Sequence, residues 1–238
     1  MDSNNELKRV REIADWYVSG QLDFDKTLVR LRYRSIKKYF VGEKVLELGS
    51  AEGIMTRMLL DDFNHIAVVE AASKLLDLVP DNSKISKYNC LIEDFESDQL
   101  YDTIILDHVL EHVDHPVNIL KAAARNLSIG GRFIIGVPNA LSIHRLVAVE
   151  MGLLESPYEL NERDITVGHR RVYDMERLLA DVDAAGLVTI DVGGSFLKPL
   201  SNGQIQDCFS PEMIEGFYKV GEMFVNHAAD IFAVVTKG

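Results

Sequence analysis

Cysteine is scarce in this chain: Cys90 and Cys208 are the only two among 238 residues. They stand in no paired or metal-ligand spacing, which excludes a disulfide framework, implies no metal and suits thiols kept reduced. Long apolar runs are missing too. No stretch approaches the ~18 uninterrupted residues a membrane span requires, and the charged N-terminus MDSNNELKRVREIADWYV has no secretory apolar core. A cytoplasmic protein that avoids membranes is expected. Basic residues are in deficit, 25 Lys and Arg against 37 Asp and Glu for a net charge of −12, so the surface field repels nucleic-acid backbones and anionic lipids. Internal repeats, low-complexity tracts and proline-rich linkers are absent, and nothing marks a division into two full domains. With 47% hydrophobic residues the chain has the material for one real core.

Periodicity supplies the elements. Leu7, Val10, Ile13, Ala14 and Tyr17 recur at helical spacing from Glu6 to Val18, with Ser3 to Asn5 as caps and Gly20 as a stop. A second amphipathic helix spans about Asp25 to Phe40, so residues 1–40 form a helical cover. From 41 to 238 short apolar strands alternate with helices. Strands are predicted at Lys44–Leu48, His65–Glu70, Ile85–Ile92, Tyr101–His108 and Arg132–Val137, with helices at Ile54–Leu60, Ser73–Val79 and Pro116–Leu127. Asp114 is the expected cap of the last of these helices. Such alternation argues for a doubly wound, mostly parallel sheet. Residues 139–172 lose the pattern and read as a lid or substrate-binding insertion. Helix Asp174–Ala185, strand Val188–Val192, helix Pro211–Phe224 capped by Ser210, and a terminal strand Ala229–Thr236 complete the chain.

The segment Val45-Leu46-Glu47-Leu48-Gly49-Ser50-Ala51-Glu52-Gly53 carries the most chemistry. An apolar strand ends in a turn where Gly49 and Gly53 open dihedrals closed to other residues and let a ligand lie against bare backbone. Glu70 falls at the end of the next strand, where a carboxylate can accept both hydroxyl hydrogens of a ribose. A dinucleotide site wants G-x-G-x-x-G, whereas this chain puts Glu52 where a pyrophosphate would approach. With Glu47 added, the charge suits a cationic sulfonium amino acid better than two phosphates.

These residues resemble the class I S-adenosylmethionine-dependent methyltransferases of small molecules. Two further segments carry the likeness: Tyr101 to Val113, with the family's Val-Leu-Glu-His signature at 109–112, and Leu127 to Pro138, similar to its L-x-x-G-G strand. The resemblance implies a Rossmann-like seven-stranded sheet whose final strand runs antiparallel. It places the methionyl part of the cofactor, S-adenosyl-L-methionine, on Glu47, Gly49 and Ala51 beside Gly53. The ribose falls on Glu70, adenine beside Ala71 and the Ile92 amide, and the adenine amino group on Glu93 or Asp94. Asp107, His108 and Leu110 close the site. Tyr33, with Arg32 and Arg34, is expected over the methionyl carboxylate, or else on a solvated helix face.

Methyl transfer needs alignment of donor and acceptor and removal of one proton, and histidine suits the latter near neutrality. His144 and His169 are the best placed of the seven, and His169 is favoured as base or substrate-orienting group. Arg170 or Arg171 would read an anionic acceptor, with Tyr173 nearby, and Lys198 and Asn202 lie in a loop able to touch substrate. Transfer to O, N or C of a small metabolite, such as a sugar or natural-product intermediate, by a monomer or homodimer is the expected function, releasing S-adenosyl-L-homocysteine. The alternatives are a cofactor-binding regulatory module and a nicotinamide-dependent oxidoreductase.

Overall fold

The computed structural model describes residues 6–11, 13, 14 and 23–238. Its strands are β1 (Lys44–Leu48), β2 (His65–Val69), β3 (Ile85–Tyr88), β4 (Tyr101–Asp107), β5 (Leu127–Pro138), β6 (Leu187–Ser195) and β7 (Asp230–Lys237), joined in one seven-stranded sheet of order β3-β2-β1-β4-β5-β7-β6. Strands β1 to β5 pair in parallel. Strand β7 pairs antiparallel with both β5 and β6, as the resemblance implied for the final strand.

Side chains alternate across the sheet, so every central strand must be apolar on both faces. On one face Leu46, Leu48, Ile104, Leu106, Phe133 and Ile135 pack against Ile119, Leu120 and Ala123 of α4 (Pro116–Arg125) and Leu178 and Val182 of α7 (Met175–Ala184). On the other, Val45, Ile105, Ile134 and Val234 meet Tyr33 and Ile36 of α1 (Asp23–Ile36) and Met55 and Leu59 of α2 (Ile54–Leu59). The chain winds one way from β1 to β3 and the other way from β4 onward. The crevice beyond the C-terminal ends of β1 and β4 is therefore the switch point where open α/β sheets bind ligands.

Boundaries differ where local chemistry overrode periodicity. Residues 6–11, 13 and 14 are helical, while the cap at 3–5 and the helix end at 15–20 lie outside the described residues. The expected strand Ile85–Ile92 stops at Tyr88, and Ile92–Asp94 turns into a 3-10 helix. Strand β5 starts at Leu127, not Arg132, and runs through Gly130-Gly131; a Cβ on Gly131 would lie 2.8 Å from the Asp102 carbonyl oxygen, so glycine here permits strand approach. Asp114 does not cap α4, whose N-cap is His115. The insertion folds into α5 (Ile143–Glu150) and α6 (Glu162–Thr166), the latter opened by a reciprocal Asn161–Asp164 capping box. The loop expected at Phe196–Gln204 gives way to α8 (Asn202–Cys208), whose Ser201–Gln204 capping box was legible but missed. Helix α9 (Pro211–Met223) begins at its expected Ser210 cap.

Candidate active site

A cavity of about 460 Å³ opens at the switch point and is walled by the ends of β1, β2 and β4, by α1, and by the insertion. At one end Gly49, with φ +79°, follows β1 and donates its N–H to the Val69 carbonyl at 2.9 Å. A Cβ there would stand 2.5 Å from a Val109 methyl, so only glycine fits this bend. Glu70 ties the two glycine-side loops together: Oε2 accepts from the Ala51 N–H at 3.1 Å and Oε1 from the Ala72 N–H at 2.9 Å. Burial raises its pKa, and those amides hold the rise back. Glu47 is buried and accepts the Thr56 hydroxyl at 2.5 Å. Burial pushes it up to about 8, with Asp107 and Glu70 adding repulsion.

Ala71, Ile92 and Glu93 continue this wall, and Ala51, Asp107 and His108 face the same space. Of the two open candidates for the adenine end, Glu93 lines the cavity and Asp94 does not. Three other expected contacts also stand outside the lining. Gly53, φ +74°, serves as the left-handed N-cap of α2. Leu110 is wholly buried in the core. Tyr33 turns away, its hydroxyl donating to the Met58 carbonyl at 3.0 Å and to Asp62, because it lies on the helix face that packs on α2. Its neighbour Arg32 faces the cavity instead, donating from Nε to Asp107 at 2.8 Å with Asp230 at 3.6 Å. Arg34 pairs with Glu215 at the surface.

The far wall is made of His144, His169, Lys198, Asn202 and Asp230. Burial, with Lys198 and Arg145 nearby, brings His144 down to about 3, which leaves it a weak base. Burial also brings Lys198 down to about 8, against the pull of Asp230. Asp230 lies 3.1 Å from His108 Nε2; burial would raise its pKa, but His108 and Arg32 outweigh that and hold it near about 2. His169 Nδ1 stands 3.0 Å from Asp164, which also accepts Arg145 Nη1 at 2.9 Å.

The three remaining expected substrate contacts do other work. Arg171 donates to the carbonyls of Leu110, Val113 and Asp114, at 3.0, 2.5 and 3.3 Å. Arg170 donates to the His112 carbonyl at 2.8 Å and pairs with Glu6 and Asp114. The two guanidiniums thus clamp the loop after β4, where free carbonyls needed donors. Tyr173 is buried in the core, its hydroxyl donating to Asp181 at 2.8 Å. Asp230 and Asp164 were not singled out for these places; Asp230 begins the last strand, and Asp164 has only its capping box as a signal.

The reversal at β1 and β4, a glycine bend beside it and an acid ending β2 are the marks of a class I S-adenosylmethionine-dependent methyltransferase. The chain belongs to the methyltransferase-domain family, whose pattern matches residues 23–192. It is 28% identical over 191 residues to a ubiquinone biosynthesis O-methyltransferase of Xylella fastidiosa, covering 73% of this chain and 72% of that one. A protein of the same name from Idiomarina loihiensis is 25% identical over 167 residues, 67% of each chain. Among solved structures, the Haloferax volcanii Trm112 methyltransferase activator complex with a methyltransferase matches with a TM-score of 0.63 at 16% identity, covering 95% and 97% of the chains. The N-methyltransferase NodS of Bradyrhizobium japonicum, bound to S-adenosyl-L-homocysteine, matches at 0.59 and 14% identity, covering 100% and 99%. The activity is therefore methyl transfer from S-adenosylmethionine, and the nicotinamide-dependent alternative falls away. Among the described residues no helix is long and apolar enough to cross a membrane.

Proposed function

We propose that the protein methylates a hydroxyl oxygen of a small molecule. The observation that carries this reading is one continuous cavity with an acidic, glycine-bent end at Glu47, Gly49 and Glu70 and a proton-handling end at His144, His169 and Lys198. The donor sits at the first end, its ribose on Glu70, its adenine beside Ala71, Ile92 and Glu93, and its methionyl part between Glu47, Gly49 and Ala51. The cationic sulfonium suits a wall that already holds Glu47, Glu70 and Asp107. The acceptor occupies the second end. Lys198, brought near neutrality by burial, takes the hydroxyl proton. His169, fixed by Asp164, orients the acceptor, and Asn202 offers it an amide.

The oxygen preference draws on the two O-methyltransferase relatives. Of residues 1–40, the described ones act as a cover, and residues 139–172 as a lid: Glu6, Arg9 and Val10 line the cavity, and Arg9 Nη1 donates to the Gly168 carbonyl at 2.9 Å. A cytoplasmic monomer or homodimer, with no nucleic-acid partner, fits the net charge of −12. The test is S-adenosyl-L-homocysteine release across a panel of hydroxyl, amine and carbon acceptors. Hydroxyl acceptors turn over if the reading holds; turnover with amines alone refutes it. In the Glu70→Ala variant, loss of two charge-assisted ribose bonds at ~1.5–3 kcal/mol each weakens cofactor affinity by a factor of ten or more, and retained affinity removes Glu70 from the ribose.

A further inference from the structure

Glu111 is out of place on ordinary grounds. Its side chain is wholly buried, yet neither carboxylate oxygen has a hydrogen-bond donor among the described residues. Leaving a carboxylate so costs several kcal/mol. Its surroundings are imidazole: His108 Nδ1, His112 Nε2 and His169 Nε2 lie 3.4, 3.9 and 4.0 Å from Oε1.

The tautomer of His169 is set from outside the cluster. Asp164 already accepts the Arg145 guanidinium at 2.9 Å and the Asn161 N–H at 3.0 Å, so it is a committed acceptor and His169 Nδ1 carries the proton between them. Nε2 of His169 then turns a lone pair toward Glu111. His112 turns its own Nε2 toward the same carboxylate. One carboxylate oxygen and two imidazole nitrogens thus lie within 4.8 Å of one another. Lone pairs facing each other at that range repel, and a cation between them turns repulsion into coordination.

We propose that Glu111, His112 and His169 hold a divalent transition-metal ion of the zinc class, with an open coordination position toward the cavity that takes the acceptor hydroxyl. Zinc bound at ~2.0–2.1 Å to nitrogen and oxygen sets tetrahedral ligand atoms roughly 3.3 Å apart, so the 3.9 and 4.0 Å separations close by well under 1 Å on loading and the two imidazole nitrogens, within 4.8 Å, by at most about 1.5 Å. Asp164 supplies His169 with the outer hydrogen bond that a ligating histidine needs. Three protein ligands and a cavity-facing position are the pattern of a reactive site; a structural one closes with four. No sequence spacing announces it, because His169 comes from the far end of the insertion.

The role assigned to the ion rests on the methyl-transfer reading. Coordination acidifies the hydroxyl, and its proton passes to the Lys198 amine. The oxygen then attacks the methyl carbon, forming O–C as S–C breaks. Sulfur keeps the electron pair and leaves as the neutral thioether of S-adenosyl-L-homocysteine.

The test titrates the chelator-stripped full chain with Zn²⁺ by calorimetry and with Co²⁺ by visible absorption. One equivalent binding at micromolar Kd or tighter is expected, weakened at least 100-fold in Glu111→Gln and His169→Ala and 10–100-fold in Asp164→Asn. Each variant should keep S-adenosyl-L-homocysteine affinity within threefold, which certifies its fold. The site is overturned if Zn²⁺ fails to saturate, or if the variants bind it as the parent does; a proton alone then holds the imidazoles to Glu111. Chelation should abolish hydroxyl methylation and Zn²⁺ restore it, and turnover that survives chelation overturns the acceptor role. The metal titration needs no acceptor, so failure of the site and failure of the methyl-transfer reading are told apart.

Discussion

Cofactor binding should release a proton from Glu47. In the empty cavity this carboxyl is buried beside Asp107 and Glu70 and titrates at about 8, so at pH 6 nearly every molecule carries it neutral. A ligand that brings a sulfonium or an ammonium against it favours the anion. Each pH unit below 8 then costs about tenfold in affinity, roughly 1.36 kcal/mol, until the bound-state pKa is reached. Across pH 6 to 8 the expected gain is about 50-fold, and above pH 8 the curve flattens. Calorimetric titration with S-adenosyl-L-homocysteine, repeated in buffers of different ionisation enthalpy, reads both Kd and protons released. Glu47→Gln should lose the slope. The ligand's own amino group titrates the same way against both proteins, so the difference between them isolates Glu47. Ligand-free stability carries the matching sign: the folded state binds more protons than the unfolded between about 4.5 and 8, so stability falls as pH rises through that window. The loss is at most about 5 kcal/mol at ~1.36 kcal/mol per unit, and Glu47→Gln should flatten it. Buffer-independent heats with a pH-flat Kd in the parent, or an equal slope in Glu47→Gln, refute the argument.

Gly49→Ala forces a side chain into φ +79° and against a Val109 methyl at 2.5 Å, so urea unfolding should show a loss of about 1–3 kcal/mol with weaker cofactor binding; an unchanged midpoint contradicts the bend. Lys198→Met should abolish the rise of kcat/KM with pH through about 8, and a profile identical to the parent's removes Lys198 as base. Arg145→Met strands Asp164, whose pKa His169 and Arg145 hold near about 2 against burial. The cost of breaking such a buried pair is about 3–5 kcal/mol, measured by thermal unfolding, and a variant as stable as the parent would show that water reaches the pair.

The donor end was legible because it is local. Strand, bend and acid lie between Val45 and Glu70, and each residue type is demanded by backbone geometry or by ligand charge. At the acceptor end His144, His169, Lys198 and Asn202 were named and line the cavity, but Asp164 and Asp230 were not, since they join that wall only after the sheet has closed. Two basic residues in sequence, Arg170 and Arg171, read equally well as anion readers or as donors to bare carbonyls, and only the loop after β4 shows the second. On helix α1 three neighbours, Arg32, Tyr33 and Arg34, were named together, and only Arg32 lines the cavity. Asp25, Leu28, Val29 and Arg32 line the cavity at i, i+3, i+4 and i+7, so Arg32 belonged on the ligand face and Tyr33, one step of about 100° further round, on the packed one.

The charge pattern of the cavity also bears on the direction of the reaction. Glu47, Glu70, Glu93 and Asp107 gather at the donor end, where Arg32 pairs with Asp107, whereas His144, His169 and Lys198 line the acceptor end. Transfer converts a cationic sulfonium into a neutral thioether. A unit charge about 5 Å from a carboxylate is worth roughly 3 kcal/mol at an effective dielectric of ~20, and the product loses that attraction. An acidic wall therefore favours the loaded donor over the spent one, and does so through position: the net charge of −12 says only that the whole surface is acidic, while Glu47 is a buried carboxyl in the wall of the cavity itself.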